Sequence, residues 1–411
     1  MQETLSFHQR VPFFYGWVIV GVAFCVSFLS FGMFTYVRGI YLPHFAEAFG
    51  LTRFDITIGF TIEGITAAAF APLLGWALDR YSPKIILLAG LSLVVLGYFL
   101  LSVVVNVWQF YVVMAICFGL GITSLGSFTV QRLTVSWFDQ RRGLALSLVI
   151  LGASMSGMVM PTVTVWLQEH LGWQNSLVAL GVLIAAVLYP LTMALLKDSP
   201  ESIGVQPDGA VAQSPMTGPV FSTREILSRL SFWSIVFVFG AILCVFTTVT
   251  MHGFGHAKDL GLTDYQAAGG FFAMSLCAAV GKPIVGVLTD YLGVRPSIWF
   301  SLVMLSIGLW ALAEASTFIA VLIGFAAFGL GYAGMLPLRS YAVAATVGQR
   351  SFGLANGWLN LSILPLTLSA SPMAAFVYDF TGSYALAFQL LVGLMVLAAL
   401  GPFFIVNRQP R

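Results

Sequence analysis

The residues of this chain that could do chemistry stand inside apolar runs. Lys282 lies in Cys277-Ala278-Ala279-Val280-Gly281-Lys282-Pro283-Ile284-Val285. Arg38, Arg132, Arg339, Glu63, His252 and His256 have similarly apolar surroundings. A cation in such a run needs a counter-charge or a polar cavity, and a small anion can supply that counter-charge. Lysine and arginine do this differently. Arginine grips a carboxylate through a planar fork, whereas lysine is a point charge that gives up its proton when desolvated. Lys282 is therefore a candidate for substrate-anion binding and for proton coupling, against a structural pair or a snorkelling side chain.

Arg38 and Glu63 are expected at similar depth. They read either as a salt bridge or as an anion attractor with a proton acceptor beside it. Arg132, close to Arg141, reads as a structural contact, and Arg339, beside Pro337, fits a cavity or a structural role equally. His252 and His256 are four apart, on one helical face. No metal is expected there, and His252 is read as a cavity-facing hydrogen-bonding group. Tyr36, Tyr41, Gln131, Tyr332, Asn356, Trp358 and Asn360 are further candidate cavity liners.

The elements that position these groups follow from composition. The 411 residues are 59% hydrophobic and 8% charged, with a mean hydropathy of +0.94. Soluble chains carry about 25% charged residues, so this composition describes an all-α polytopic membrane protein. A spanning helix needs about 20 apolar residues. Twelve such segments are expected: 14–42, 54–78, 83–105, 108–137, 142–168, 174–197, 230–257, 265–289, 296–315, 317–347, 352–378 and 384–406. The runs are too long and too uniformly apolar for barrel strands. Glycines such as Gly32, Gly39, Gly119, Gly121, Gly152 and Gly157 are expected to allow close helix packing. Pro43, Pro161, Pro283, Pro337, Pro365 and Pro372 are expected to bend or break helices.

The chain repeats itself. Gly50-Leu51-Thr52, Pro72, Gly75 and Asp79 return 211 positions later as Gly261-Leu262-Thr263, Pro283, Gly286 and Asp290. Pro161 and Pro372 share the offset, and Gly143-Leu144-Ala145 meets Gly353-Leu354-Ala355 at 210. Lys282 breaks the symmetry, since its counterpart is Ala71. Two six-helix bundles are expected, 1–197 and 230–411, joined by a flexible linker at 198–229 containing Ser199-Pro200, Gln206-Pro207-Asp208-Gly209 and Ser214-Pro215.

Basic residues orient such a chain. One side holds Arg10, Arg80, Lys84, Arg141, Arg142, Lys197, Arg224, Arg229, Arg295, Arg350, Arg408 and Arg411; the other holds Arg53 and Lys258. Both termini and the linker are therefore expected in the cytoplasm. Cys25, Cys117, Cys244 and Cys277 all sit in apolar runs and read as packing residues. The first apolar run is too long for a cleavable signal peptide. No nucleotide motif, cofactor motif, metal set or nucleic-acid-binding charge run occurs. Without a buried nucleophile–base pair, an enzyme is not expected.

Gly75-Trp76-Ala77-Leu78-Asp79-Arg80-Tyr81-Ser82-Pro83-Lys84 resembles the loop signature of the major facilitator superfamily, G-x-x-x-D-R-x-x-x-[RK], with a weaker copy keeping Gly286, Asp290 and Arg295. The resemblance implies the major facilitator fold. It also implies that Gly75, Asp79, Arg80, Lys84, Asp290 and Arg295 form a conformational latch that does not touch substrate. Within that superfamily three stretches resemble the monocarboxylate transporter and oxalate:formate antiporter group. They are Phe14-Tyr15-Gly16-Trp17 running on to Arg38, Trp137-Phe138-Asp139-Gln140-Arg141-Arg142-Gly143-Leu144-Ala145, and Gly281-Lys282-Pro283-Ile284-Val285-Gly286. Lys282 stands where that group has its carboxylate-binding arginine. Ala278 stands where some members have a coupling aspartate.

The resemblance implies secondary transport of a small organic anion, with a monocarboxylate the leading class, by alternating access with proton symport. The expected substrate-binding residues are Lys282, Arg38, His252, Tyr36, Tyr332, Asn356, Asn360 and Arg339, with proton coupling at Lys282 and Glu63. Anion exchange is the alternative, and drug efflux a lesser one. The partners expected are the anion, protons and membrane lipid, with no nucleic acid. The expected form is a monomer in a bacterial inner membrane.

Overall fold

The structure, a computed structural model, describes residues 13–208, 221–348 and 350–405. Arg10, Gly209, Ser214, Pro215, Arg408 and Arg411, named above, lie outside the described residues. Among the described residues twelve helices are long and apolar enough to cross a membrane. They are α1 Gly16–Tyr36, α2 Arg53–Arg80, α3 Pro83–Leu101, α4 Val107–Trp137, α5 Arg142–Leu171, α6 Trp173–Leu195, α7 Leu230–Asp259, α8 Asp264–Leu292, α9 Val294–Ala313, α10 Phe318–Val347, α11 Phe352–Thr381 and α12 Ala385–Phe404. Helices satisfy every backbone group internally, as lipid requires.

The repeated sequence makes repeated local structure. Gly50 ends the short helix Arg38–Phe49 with φ 63°, and Gly261 follows α7 with φ 81°. Both take the left-handed conformation that glycine adopts without a Cβ clash. The threonine two residues on then opens the next helix. Thr263 and Gln266 exchange bonds between side chain and backbone in a capping box, and Thr52 and Asp55 do the same at α2.

Three spans are interrupted in mid-course, and not where proline predicts. α1 passes into a π turn at Gly32–Tyr36 before the helix Arg38–Phe49 begins. α4 carries a π stretch at Met114–Leu120 and an extended residue at Gly126. α10 breaks between Tyr332 and Met335. In contrast, Pro43, Pro161, Pro283, Pro365 and Pro372 all lie inside helices that continue past them. Pro337 sits in the first turn of Met335–Val347, where a missing N–H costs nothing.

The described residues form two compact units. The first unit runs through 13–34, 62–156 and 166–208; the second through 35–61, 157–165, 221–348 and 350–405. In the first, α3 packs on α6 and on the π stretch of α4. In the second, α7 packs against α11, α8 against α10, and α9 against α10 and α12. The helix Arg38–Phe49 also lies on α7, with Gly39 directly over the Met251 carbonyl. In the most apolar 18-residue stretch of α7, 78% of the residues are buried, a larger share than in the other described spans.

Candidate functional site

In the second unit several of the sequence-predicted residues flank the break in α10. Tyr332, the last residue before that break, stacks flat on Phe246 of α7, ring centroids 3.9 Å apart and 6° between planes. Tyr36, at the end of the π turn of α1, meets the edges of Phe246 and Phe271 at 6.4 and 6.2 Å. A side chain on Gly157 would collide with Tyr36 and Ser275, so this glycine makes room for them. Past the break, Arg339 donates from Nη1 to Oδ1 of Asn360 on α11, at 3.2 Å, while its Nε is buried with no hydrogen-bond acceptor. Asn356 lies one turn before Asn360 on the same helix.

Lys282 is half-buried in α8, ten residues from its Leu292 end, which is about 15 Å along the axis. Its neighbour Gly281 brings α8 onto the break in α10; a Cβ there would lie 2.7 Å from that of Ala333. Arg38 begins the helix Arg38–Phe49 with its guanidinium 5.8 Å from the centre of the Phe60 ring. Glu63 is buried in α2 of the first unit, where its carbonyl faces Gly119 in the π stretch of α4. Gln131 lies in α4 of the first unit. Tyr41 packs on Phe45, and Trp358 donates to Thr223.

His252 differs from its sequence reading. It is 1% exposed, and both ring nitrogens are engaged: Nε2 at 2.9 Å from the Ser371 carbonyl, Nδ1 at 3.0 Å from the Tyr384 hydroxyl. In this arrangement it offers no nitrogen to a ligand. His256 points away from it, to the Leu312 carbonyl at 2.8 Å. Tyr384 belongs to a cluster that sequence reasoning missed. Arg53, at the start of α2, donates from Nη1 to the Tyr384 hydroxyl at 3.0 Å and from Nη1 and Nη2 to the two carboxylate oxygens of Asp259, each at 3.1 Å. Its guanidinium lies 3.9 Å from the centre of the Tyr378 ring. Burial pushes the Tyr384 phenol pKa up, which keeps it a hydrogen-bond donor. One signal was legible: Arg53 is one of two bases on its side of the chain.

The signature motif lies in the first unit and at the other end of α2. Asp79 accepts from Arg132 at 2.6 Å, which is the structural contact expected of that arginine. Arg80 lies over Trp76. Lys84 donates to the carbonyls of Met193 and Leu196 at 2.7 and 3.3 Å, closing the end of α6. Ser82 and the Lys84 amide both donate to Asp198. In the second copy, Arg295 donates to the Ile405 carbonyl at 2.7 Å and Asp290 is exposed. A Cβ on Gly75 or Gly286 would meet nothing within 4 Å, so neither stands at a close helix contact.

Comparison with known proteins agrees with this architecture. Monocarboxylate transporter 13 of Rattus norvegicus is 26% identical over 405 residues, covering 95% of this chain and 90% of its own. An uncharacterized MFS-type transporter of Bacillus subtilis, YcxA, is 25% identical over 381 residues, covering 87% and 88%. Among solved structures, a bacterial homologue of the human lysosomal transporter Spinster superposes with a TM-score of 0.72 at 14% identity, over 95% of this chain and 96% of that one. This likeness shows the shared fold. The family model of the Major Facilitator Superfamily matches residues 23–275 and 255–411. Twelve spans, a doubled loop signature and a family match across nearly the whole chain make this a multi-pass secondary transporter, not an enzyme, and a member of the Major Facilitator Superfamily.

Proposed function

We propose that the protein carries a small organic anion, with monocarboxylates the leading class, by alternating access with proton symport. The observation that carries this reading is Lys282: a half-buried ammonium deep in α8, next in sequence to Gly281, which meets the break in α10. Broken helices line substrate paths in transporters because their freed backbone groups and gaps face a cavity. Arg339, with Nε lacking an acceptor, adds a second cation on α10, and Asn360 and Asn356 add neutral polar groups. Tyr36 and Tyr332 supply an aromatic wall for a short carbon chain. Arg38 attracts the anion from the Arg53 end. His252 is assigned to the Arg53 cluster instead of the ligand shell.

In this reading Lys282 and Glu63 carry the coupling proton. The named relative that transports monocarboxylates supports the substrate class. Exchange of one anion for another is the second reading, favoured by Ala278, which leaves no carboxyl one turn before Lys282. The two six-helix halves, 1–197 and 230–411, rock about the site as a monomer. Asp79, Arg80, Lys84, Gly75, Asp290 and Arg295 govern the cycle at the cytoplasmic side of a bacterial inner membrane.

The test is direct binding of a panel of carboxylates to purified protein. Lys282→Ala removes a charge-assisted hydrogen bond worth about 1.5–3 kcal/mol, so affinity should fall roughly ten- to hundredfold. Lys282→Arg should retain binding. A folded Lys282→Ala protein that binds as tightly as the parent would refute the site. Uptake into proteoliposomes under an imposed pH gradient separates symport, which the gradient accelerates, from exchange, which needs anion on the far side.

A further inference from the structure

His252 stands at the inner end of a hydrogen-bonded chain whose proton positions are dictated by chemistry. The Ser371 carbonyl can only accept, so Nε2 carries a hydrogen and Nδ1 is a bare acceptor. Arg53 can only donate, so the Tyr384 oxygen accepts from it. The Tyr384 O–H is then directed at Nδ1. The chain reads Arg53 to Tyr384 to His252 to Ser371, each donor matched to one acceptor, and it works only with a neutral histidine.

The same chain holds the Arg53 end of the second unit together. Arg53 comes from α2, Asp259 and His252 from α7, Ser371 and Tyr378 from α11, and Tyr384 opens α12. Nearby, the Phe54 amide donates to Asp379 at 3.1 Å and the Thr61 hydroxyl to the Leu368 carbonyl at 3.4 Å. The first-repeat residues 38–61 are thus bound to second-repeat helices by polar contacts that can be remade, not by apolar packing alone.

We propose that His252 is a proton-operated release for this closure. A proton on Nδ1 turns that nitrogen from acceptor to donor. Tyr384 would then face two donors, Arg53 and His252, and its own hydrogen would lose the acceptor it had. The charged groups acting on His252 are Arg53 from α2 and Arg38 from the helix Arg38–Phe49, both cations. Its uncharged neighbours are Tyr384 from α12 and the Ser371 carbonyl from α11. On its own helix lie His256, committed to Leu312, and Asp259, committed to Arg53. A third positive charge there would join these two cations, and the carboxylate on its own helix, Asp259, is already paired with Arg53. The closed arrangement therefore accepts only neutral His252, and protonation favours separation of Arg53 from Tyr384. The sign follows from linkage: a proton that binds only the open form shifts the population toward it as pH falls. Since protonated His252 opposes closure, it times the opening and does not itself carry the transported proton across. The inference goes beyond the proposed anion and holds whatever the substrate is.

The experiment needs no substrate. Nitroxide labels at Ala48→Cys and Ser383→Cys, both exposed, report the distance between the helix Arg38–Phe49 and the α11–α12 turn, in full-length protein whose four native cysteines are replaced. If open His252 titrates near the ordinary histidine value of about 6.5, the open-to-closed ratio should rise by about 30-fold from pH 8 to pH 5. His252→Gln, which can still donate to Ser371 and accept from Tyr384, should abolish that shift. An unchanged shift in His252→Gln, or no shift in the parent, overturns the proposal. A second measurement needs no variant: ring-nitrogen chemical shifts of labelled His252 in the parent should titrate with the midpoint of the distance change. A different midpoint also overturns it. Loss of anion binding in Lys282→Ala has no bearing on any of these outcomes, so the two proposals fail separately.

Discussion

The two ends of α2 hold an arginine–aspartate pair each, and they are built differently. At the Arg53 end of the second unit the pair is two-pronged, the side chains are only 16% and 29% exposed, and Tyr378 and Tyr384 flank the guanidinium. At the Asp79 end of the first unit one Arg132 nitrogen meets one Asp79 oxygen, and the side chains are 48% and 66% exposed. The distances, 3.1 and 2.6 Å, would rank the second pair stronger. Burial and the number of bonds rank them the other way, because water screens an exposed pair and competes for both partners. The difference teaches that the recognisable motif need not be where interaction energy is concentrated. On these grounds the Asp79 pair is the easier of the two to break and the Arg53 pair the harder.

The largest effect should come from Arg53→Ala. It removes the two-pronged pair and strands Asp259, so thermal unfolding in detergent should show a loss of about 3 kcal/mol. An effect below about 1 kcal/mol would erase the contrast between the ends. Tyr384→Phe should come next. It deletes one acceptor and one donor while keeping the ring, and should cost about 1–3 kcal/mol in the same assay. A neutral result would mean that His252 and Arg53 find other partners.

Asp79→Asn should change stability by no more than about 1 kcal/mol. In transport assays it should slow turnover while leaving anion affinity nearly intact, since the motif is proposed to govern conformation. A large affinity loss with normal turnover would move Asp79 into the binding site. The smallest effect should be that of Lys258→Ala. Lys258 meets Asp264 at 2.9 Å at the same end as Arg53, but the side chains are 40% and 43% exposed. A change of about 0.5 kcal/mol or less is expected. A change as large as that of Arg53→Ala would mean that position, not burial, sets the worth of these pairs.

Much of the frame was legible in the chain itself. Apolar length marks spanning helices directly, because lipid excludes any other backbone arrangement of such runs. Local chemistry also marks where they start. Ser82-Pro83 begins α3 and Thr263 begins α8, each as a side-chain cap. Boundaries slipped where no cap speaks: the third span was expected to reach 105 and ends at Leu101. The interruptions were not legible: the helices run on past Pro161 and Pro372, while the chain departs from α geometry at Gly32–Tyr36, Met114–Leu120 and Ala333–Gly334. A proline removes one bond that neighbouring helices and local adjustment can replace. A π turn depends on how neighbouring helices crowd the span, and no single residue announces that.

The class of protein, the twelve spans and the duplication could be read from the chain alone. Composition and local pattern suffice for these, because the bilayer imposes the same rule on every span. Only the tertiary structure decided which of the polar groups meet. Arg53 and Tyr384 are 331 positions apart, and nothing local to either names the other. In the sequence His252 reads as a cavity-facing hydrogen-bonding group. In the fold both its nitrogens are taken by groups 119 and 132 positions away. The physical reason is that a buried polar atom must find a partner at hydrogen-bond range, and range is a property of packed helices, not of sequence distance.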